Sequence, residues 1–275
     1  MKLGVRESVR EYGRLLLPLA RDVIARRPER VEWVVTAPPF FAVPAGANLV
    51  AWEIARLLTA ELPSHRSLRA TDLHLSVPTG AALHDVVTSE YSNKGLEARI
   101  EERRRLFDDR TPPLDPSVFR GRAVLFVNDI NVTGTQQAFM QLAFDAVAPA
   151  SVDWLYIVEV DPGLGRSNPE LEYTLNHLRL ETFEAFADVV ARADIDYTCR
   201  CIRRLLAYPA AQLESLFRGL DDARRNLLYD LAVQEGIYTR EDDVAKLALL
   251  RDCITVRARA TAAPRSHADT PRATG

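Results

Sequence analysis

Short apolar runs that suit buried strands alternate with segments of helical periodicity through roughly the first two thirds of this chain. Among them are "VEWVVTAPP" at 31–39, "TDLHLSVP" at 71–78, "RAVLFVN" at 122–128 and "VDWLYIVEV" at 152–160. A strand apolar on both faces must be covered on both faces. The alternation therefore predicts an α/β fold with a mostly parallel sheet flanked by helices. The intervening helical patterns lie at 5–27, at 49–62 ("LVAWEIARLLTAEL"), at 95–107 ("GLEARIEERRRLF") and near 136–147. In the first of these Val9, Leu16, Leu19, Ala20, Val23 and Ile24 form the expected buried stripe, and Pro18 marks a point where the helix can kink.

After about residue 181 only helical patterns remain. The reading is an α/β domain over 1–180, a helical subdomain over 181–256, and a disordered tail over 257–275, where prolines interrupt a segment without apolar periodicity. The formal net charge of -3 asks for neither a nucleic acid nor a membrane surface as partner. The longest early apolar run, "LLLPLA" at 15–20, is too short to span a bilayer, and its flanks are charged. Cys199, Cys201 and Cys253 show neither disulfide nor zinc spacing, so a cytoplasmic location is expected. Lysine occurs only at 2, 94 and 246, the other basic residues being arginine, which singles out each lysine.

The stretch "VLFVNDINVTGTQQ" at 124–137 carries the chemistry. A parallel strand that ends at Asn128 and Asp129 and turns through Thr133, Gly134 and Thr135 into a helix aims backbone N–H groups and a helix dipole at an anion. It also places a carboxylate beside that anion. Gly134 lets the backbone approach closely, and the two threonine hydroxyls can donate to phosphate oxygens. Asp129 can accept from vicinal hydroxyls. A phosphate next to a diol describes a ribose 5-phosphate. The plain structural alternative is a strand end followed by a capped helix.

That stretch resembles the signature of the type I phosphoribosyltransferases, which bind 5-phosphoribosyl 1-pyrophosphate (PRPP). Val124 to Val127 match the strand, Asp129 the second acid, and Thr133 and Gly134 the phosphate loop. Asn128 replaces an acid, Asn131 an apolar residue, and Gln136 a threonine or small residue. More particularly, the chain is similar to the phosphoribosyltransferase-like proteins of bacterial tellurite-resistance and stress gene clusters, which add a helical C-terminal region. The resemblance implies a transferase that moves 5-phosphoribosyl to a nitrogenous base and releases pyrophosphate, with Mg²⁺ as cofactor. It assigns Thr133, Gly134, Thr135 and Gln136 to the 5-phosphate, and Asn128 and Asp129 to the ribose hydroxyls. Lys94 and Arg99, on an expected flap, and Ala45 and Gly46, after the first strand, fall to the pyrophosphate. Asp161 falls on the acceptor side. The helical region could serve a homodimer or a protein partner.

Two other functions fit parts of the pattern. A non-catalytic PRPP or nucleotide sensor suits Asn128 and Gln136. "DINVTGT" is loosely similar to the start of the haloacid-dehalogenase-type phosphatases, with Asp129 as nucleophile, although Asn131 stands where their general acid would. "DPGLGRSN" at 161–168 lacks the third glycine of a dinucleotide fingerprint and reads as a turn into a helix capped by Asn168, with Pro169 first.

Overall fold

A computed structural model describes residues 1–27, 32–61, 67–75, 97, 114–177, 180 and 182–262. The first helix, α1 (Arg6–Ala25), buries Val9, Gly13, Leu16, Leu17, Ala20 and Ile24. Its buried stripe is rotated from the expected one, since Leu17 turns inward while Leu19 is 53% exposed. Gly13 sets that rotation: a Cβ there would lie 2.6 Å from Glu53 Cγ, so the helix meets its neighbour at its smallest residue. Pro18 lies within the helix on the exposed side, and the helix continues through it.

The sheet is parallel throughout. Strand β1 (Trp33–Thr36) leads through α2 (Gly46–Glu61) to β2 (Leu68–Ala70), and β3 (Ala123–Asn131) follows a short helix, α3 (Pro116–Phe119). Helix α4 (Thr135–Val147) connects β3 to β4 (Ser151–Glu159), giving the order β2-β1-β3-β4. β2 precedes the stretch expected to form that strand. Its register places Leu68 to Ala70 on Trp33 to Val35. Beyond Thr36 the prolines at 38 and 39 have no N–H to give, and pairing resumes only as a bridge between Phe40 and His74.

Alternation along β3 divides the core. Leu125 and Val127 pack with Trp33, Val35 and residues of α1 and α2, whereas Val124 and Phe126 pack with Phe119, Met140 and Phe144. Each fully buried side chain of this kind contributes about 1.5–3 kcal/mol, so covering both faces is what holds the sheet.

Past β4 the chain is helical: α5 (Pro162–Ser167), α6 (Leu171–His177), α7 (Phe183–Val190), α8 (Cys199–Ala207), α9 (Ala210–Gly219), α10 (Asp222–Glu235) and α11 (Glu241–Ala262). Phe186, Cys201, Leu205, Leu213, Phe217, Leu228 and Leu250 form a separate core there. Thr182, Thr198 and Asp221 cap α7, α8 and α10 with their side-chain oxygens. The last helix runs to Ala262, past the expected start of the tail at 257, because "RARATA" is made mostly of strong helix formers. Residues 263–275 lie outside the described residues. Among the described residues no helix is long and apolar enough to cross a membrane.

Among the described residues, the helices past α5 are fastened to the α/β part at two places. Val43, in the loop after β1, packs with Ile202, Leu206, Ala232, Ile237 and Tyr238. The buried Glu235 carboxylate accepts from the N–H groups of Ala42 (3.2 Å) and Val43 (2.7 Å). At the other place Leu3 joins the helical core, Val5 bridges Ile195, and Arg6 makes a two-pronged contact with Asp196.

Candidate functional site

β3 is longer than its apolar run. Ile130 pairs with Val158 and Asn131 with Glu159, and the Val160 N–H donates to the Asn131 carbonyl at 2.9 Å, so the strand ladder carries polar residues past the expected end at 128. The period of two then separates the two candidate ribose contacts. Asn128, 5% exposed, lies on the α4 side, where its Nδ2 donates to Gln136 Oε1 at 3.1 Å. Its Oδ1 accepts from the Asp129 N–H at 2.8 Å.

Asn131 builds the turn. Its Oδ1 accepts from the Gly134 N–H at 3.0 Å, while its Nδ2 donates to Gln137 Oε1 (3.2 Å) and Glu159 Oε1 (3.3 Å). Tyr156 OH donates to the same Gln137 oxygen at 3.1 Å. One of the three residues that depart from the signature thus holds the loop. Gly134 has φ 74 and caps α4 without a side chain. The hydroxyls of Thr133 and Thr135 lie 2.8 Å apart beside it. First-turn N–H groups of a helix have no partner within the helix, so α4 presents donors together with two hydroxyls.

Behind the loop stands Gly165 of α5. A Cβ there would lie 1.7 Å from the Val132 carbonyl oxygen, so the α5 backbone is pressed against the loop backbone. α5 itself occupies the stretch expected to be a turn, beginning about two helical turns before Pro169. Asp161 is its cap, with Oδ1 accepting from Gly163 N–H (2.9 Å) and Leu164 N–H (3.0 Å), and Pro162 comes first. Asn168 ends this helix, and the next, α6, begins at Leu171, close to the start expected at Pro169. Asp-Pro and Asn-Pro have the same helix-start form, and a helix follows each.

Asp129 points to the opposite side, toward the N-terminal segment. Its Oδ1 accepts from the Ile130 N–H at 2.7 Å, and its Oδ2 lies 2.9 Å from Lys2 Nζ. The two side chains are 24% and 21% exposed respectively. Burial would raise the Asp129 carboxyl. The Lys2 ammonium, by charge and by hydrogen bond, with help from Arg200 and the Ile130 N–H, holds it below its ordinary value.

Residues 1–4 form a strap that brings Lys2 there. Thr198 Oγ1, while capping α8, donates to the Lys2 carbonyl at 2.7 Å, and the Asp196 N–H donates to the Gly4 carbonyl at 2.9 Å. Gly4 has φ 97, and a Cβ on it would lie 1.6 Å from the Asp196 carbonyl oxygen. Ala45 and Gly46 open α2 beneath this strap. A Cβ on Gly46 would lie 2.7 Å from Met1 Sδ and 3.0 Å from Lys2 Cα. Asn48 is a first-turn residue that reaches back to the Ala45 N–H at 2.9 Å and donates to the Pro38 carbonyl at 3.0 Å.

The structure thus gathers Asn128, Asp129, Thr133, Gly134, Thr135 and Gln136 at one strand end. Ala45 and Gly46 lie under the strap, and Asp161 lies at the end of β4. Lys94 and Arg99 lie outside the described residues. Lys2 and Gly165 join the site without having been expected in it. Only the scarcity of lysine pointed to Lys2.

The family model described as "PRTase ComF-like", a phosphoribosyltransferase family, matches residues 70–250. A search of curated proteins finds no match. Among solved structures, the chain is similar to the hypoxanthine phosphoribosyltransferase of Trypanosoma cruzi, at 16% identity over 59% of this chain and 70% of that one, with a TM-score of 0.34. It is also similar to a hypoxanthine phosphoribosyltransferase of Staphylococcus aureus, at 12% identity over 60% of this chain and 70% of that one, with a TM-score of 0.30.

Proposed function

From the premise that the chain belongs to the ComF-like phosphoribosyltransferase family, we propose that it binds PRPP at the end of β3 and transfers the phosphoribosyl group to a nitrogenous base or related nucleophile. The observation that carries this reading is the loop that Asn131 folds between β3 and α4, which sets hydroxyl and N–H donors at the end of the strand that carries Asp129. Thr133, Gly134, Thr135 and Gln136 take the 5-phosphate and Asp129 takes the ribose hydroxyls, while Asn128, on the other face of β3 and bonded to Gln136, would reach the ribose only by giving up that bond. The nucleophile's nitrogen attacks C1 of the ribose as the bond from C1 to the pyrophosphate oxygen breaks, and positive charge builds on the ring. The protein's part is to orient the two reactants and to set the Asp129 carboxylate beside that ring. Asp161 at the end of β4 is proposed on the acceptor side, and Lys94, Arg99, Ala45 and Gly46 on the pyrophosphate side.

Mg²⁺ is the family's expected cofactor, but the donors at this strand end do not suit a metal held by the protein. Asn128 is neutral and both its polar ends are bonded, while each Asp129 oxygen has a partner. Among the described residues no three metal-ligating side chains gather. A hard divalent cation prefers several carboxylate or water oxygens, so any Mg²⁺ would arrive on the pyrophosphate's own oxygens.

Thermal unfolding with PRPP, ribose 5-phosphate and inorganic phosphate tests the site. The first two should raise the melting temperature and phosphate alone should do so less, whereas equal responses would count against a ribose subsite. The ion pair on Asp129 also favours a second reading, a PRPP sensor that binds without turnover. Pyrophosphate release with any accepted base would dismiss it. A setting in tellurite resistance is part of the proposal, and deleting the gene should lower the tellurite concentration that its host tolerates.

A further inference from the structure

We infer that Lys2 is a ligand-contacting residue of this site, and that its ammonium supplies the fixed positive charge a divalent cation would otherwise bring to the PRPP pyrophosphate. This rests on the reading of the site as a PRPP site. Three observations carry it. The strap is built to deliver that one side chain: Gly4 is pressed against the Asp196 carbonyl, and the Lys2 carbonyl is held by the Thr198 hydroxyl. The ammonium lies 2.9 Å from Asp129 Oδ2, while the Lys2 backbone rests on Gly46 at the start of α2. Lys2 thus spans from the start of α2, which falls to the pyrophosphate, to the Asp129 carboxylate.

Charge supports the same assignment. Asn128 leaves Asp129 as the one carboxylate of β3 itself, and the Lys2 ammonium pairs with it. Ala45 and Gly46 offer no side-chain charge to a pyrophosphate, whereas Lys2 is a compact cation with three donors. Arg200, at the second position of α8, adds positive potential from the helical region.

Calorimetric titration with PRPP tests this, using C-terminally tagged full-length protein in Mg²⁺ or in EDTA, for wild type, Lys2→Ala and Lys2→Arg. Thermal unfolding confirms that each variant is folded. Wild type should bind about equally in the two buffers. Lys2→Ala should bind at least roughly tenfold more weakly in EDTA and recover part of the loss in Mg²⁺, and Lys2→Arg should keep most of the affinity. Lys2→Ala binding as tightly as wild type, or tighter, would show the ammonium to be a plug that the ligand displaces. That result would overturn the inference and leave the PRPP site standing. Wild-type binding lost in EDTA would also overturn it. Wild type that fails to bind PRPP in both buffers would overturn the reading of the site, and this inference with it.

Discussion

Two glycines at the loop work in opposite ways. Gly134 has φ 74 with open space around it, so Gly134→Ala meets only the cost of a left-handed conformation, about 1–2 kcal/mol. Gly165→Ala would drive a methyl group into the Val132 carbonyl, and backbone cannot swing aside as a side chain can. Denaturant unfolding should therefore show a larger loss for Gly165→Ala, about 2 kcal/mol or more. It should also reduce PRPP binding, since the loop must shift to make room. The opposite order would mean that α5 does not brace the loop. Asp129 belongs to the same scale. Its folded carboxyl is depressed, so its pairing stabilises the protein above the ordinary carboxyl range and is lost as pH falls through that depressed value. Asp129 and the Thr-Gly-Thr turn were legible in the sequence because strand, acid and loop are contiguous. Lys2, Gly165 and the turn-forming role of Asn131 were not. The first two act on residues far along the chain, and Asn131 took its role from bonds to α4 and β4.

Among the elements, α1 carries a proline in its interior on the exposed side. Pro18 cannot donate to the carbonyl one turn back, so Pro18→Ala should raise stability by about 1–3 kcal/mol, less whatever the unfolded chain gains in freedom. A melting temperature that falls instead would show that the proline fits a bend which the packing on α2 requires. The differences between expected and observed elements have a common cause. Leu19 faces outward because Gly13 sets the contact with Glu53. β3 runs past Asn128 because β4 is there to pair with it. α5 forms where a turn was expected because Asp161, just past β4, caps it. Periodicity locates an element, while its ends and its buried face are decided by neighbours that the pattern does not contain.

At the scale of the molecule, the helical region is joined to the loop that opens α2 by Glu235, whose two hydrogen bonds cross 193 and 192 residues of sequence. Burial raises the Glu235 carboxyl above its ordinary 4.5, against the pull of the Val43 and Ala42 N–H groups and of Arg203. A raised folded value means that this group favours folding most below its unfolded value, and the benefit is lost as pH rises through the folded one. Glu235→Gln keeps an oxygen for both N–H groups and removes the charge. Its stability relative to wild type should therefore improve as pH rises from about 4 to 7. Glu235→Ala should cost about 1–3 kcal/mol by leaving two N–H groups unpartnered. A pH-independent difference for the glutamine variant would count against this account. The α/β layering and the helical region could be read from the alternation of patterns, but nothing local in the sequence joined the two.

The central claim is a PRPP site at the end of β3 with Asp129 as its carboxylate. The measurement that tests it most directly is calorimetric titration of wild type and Asp129→Ala with PRPP, with thermal unfolding to confirm that the variant is folded. The account predicts saturable binding at one site in wild type, weakened at least roughly tenfold in the variant. Equal affinity in the two proteins, or no binding by wild type, would contradict it.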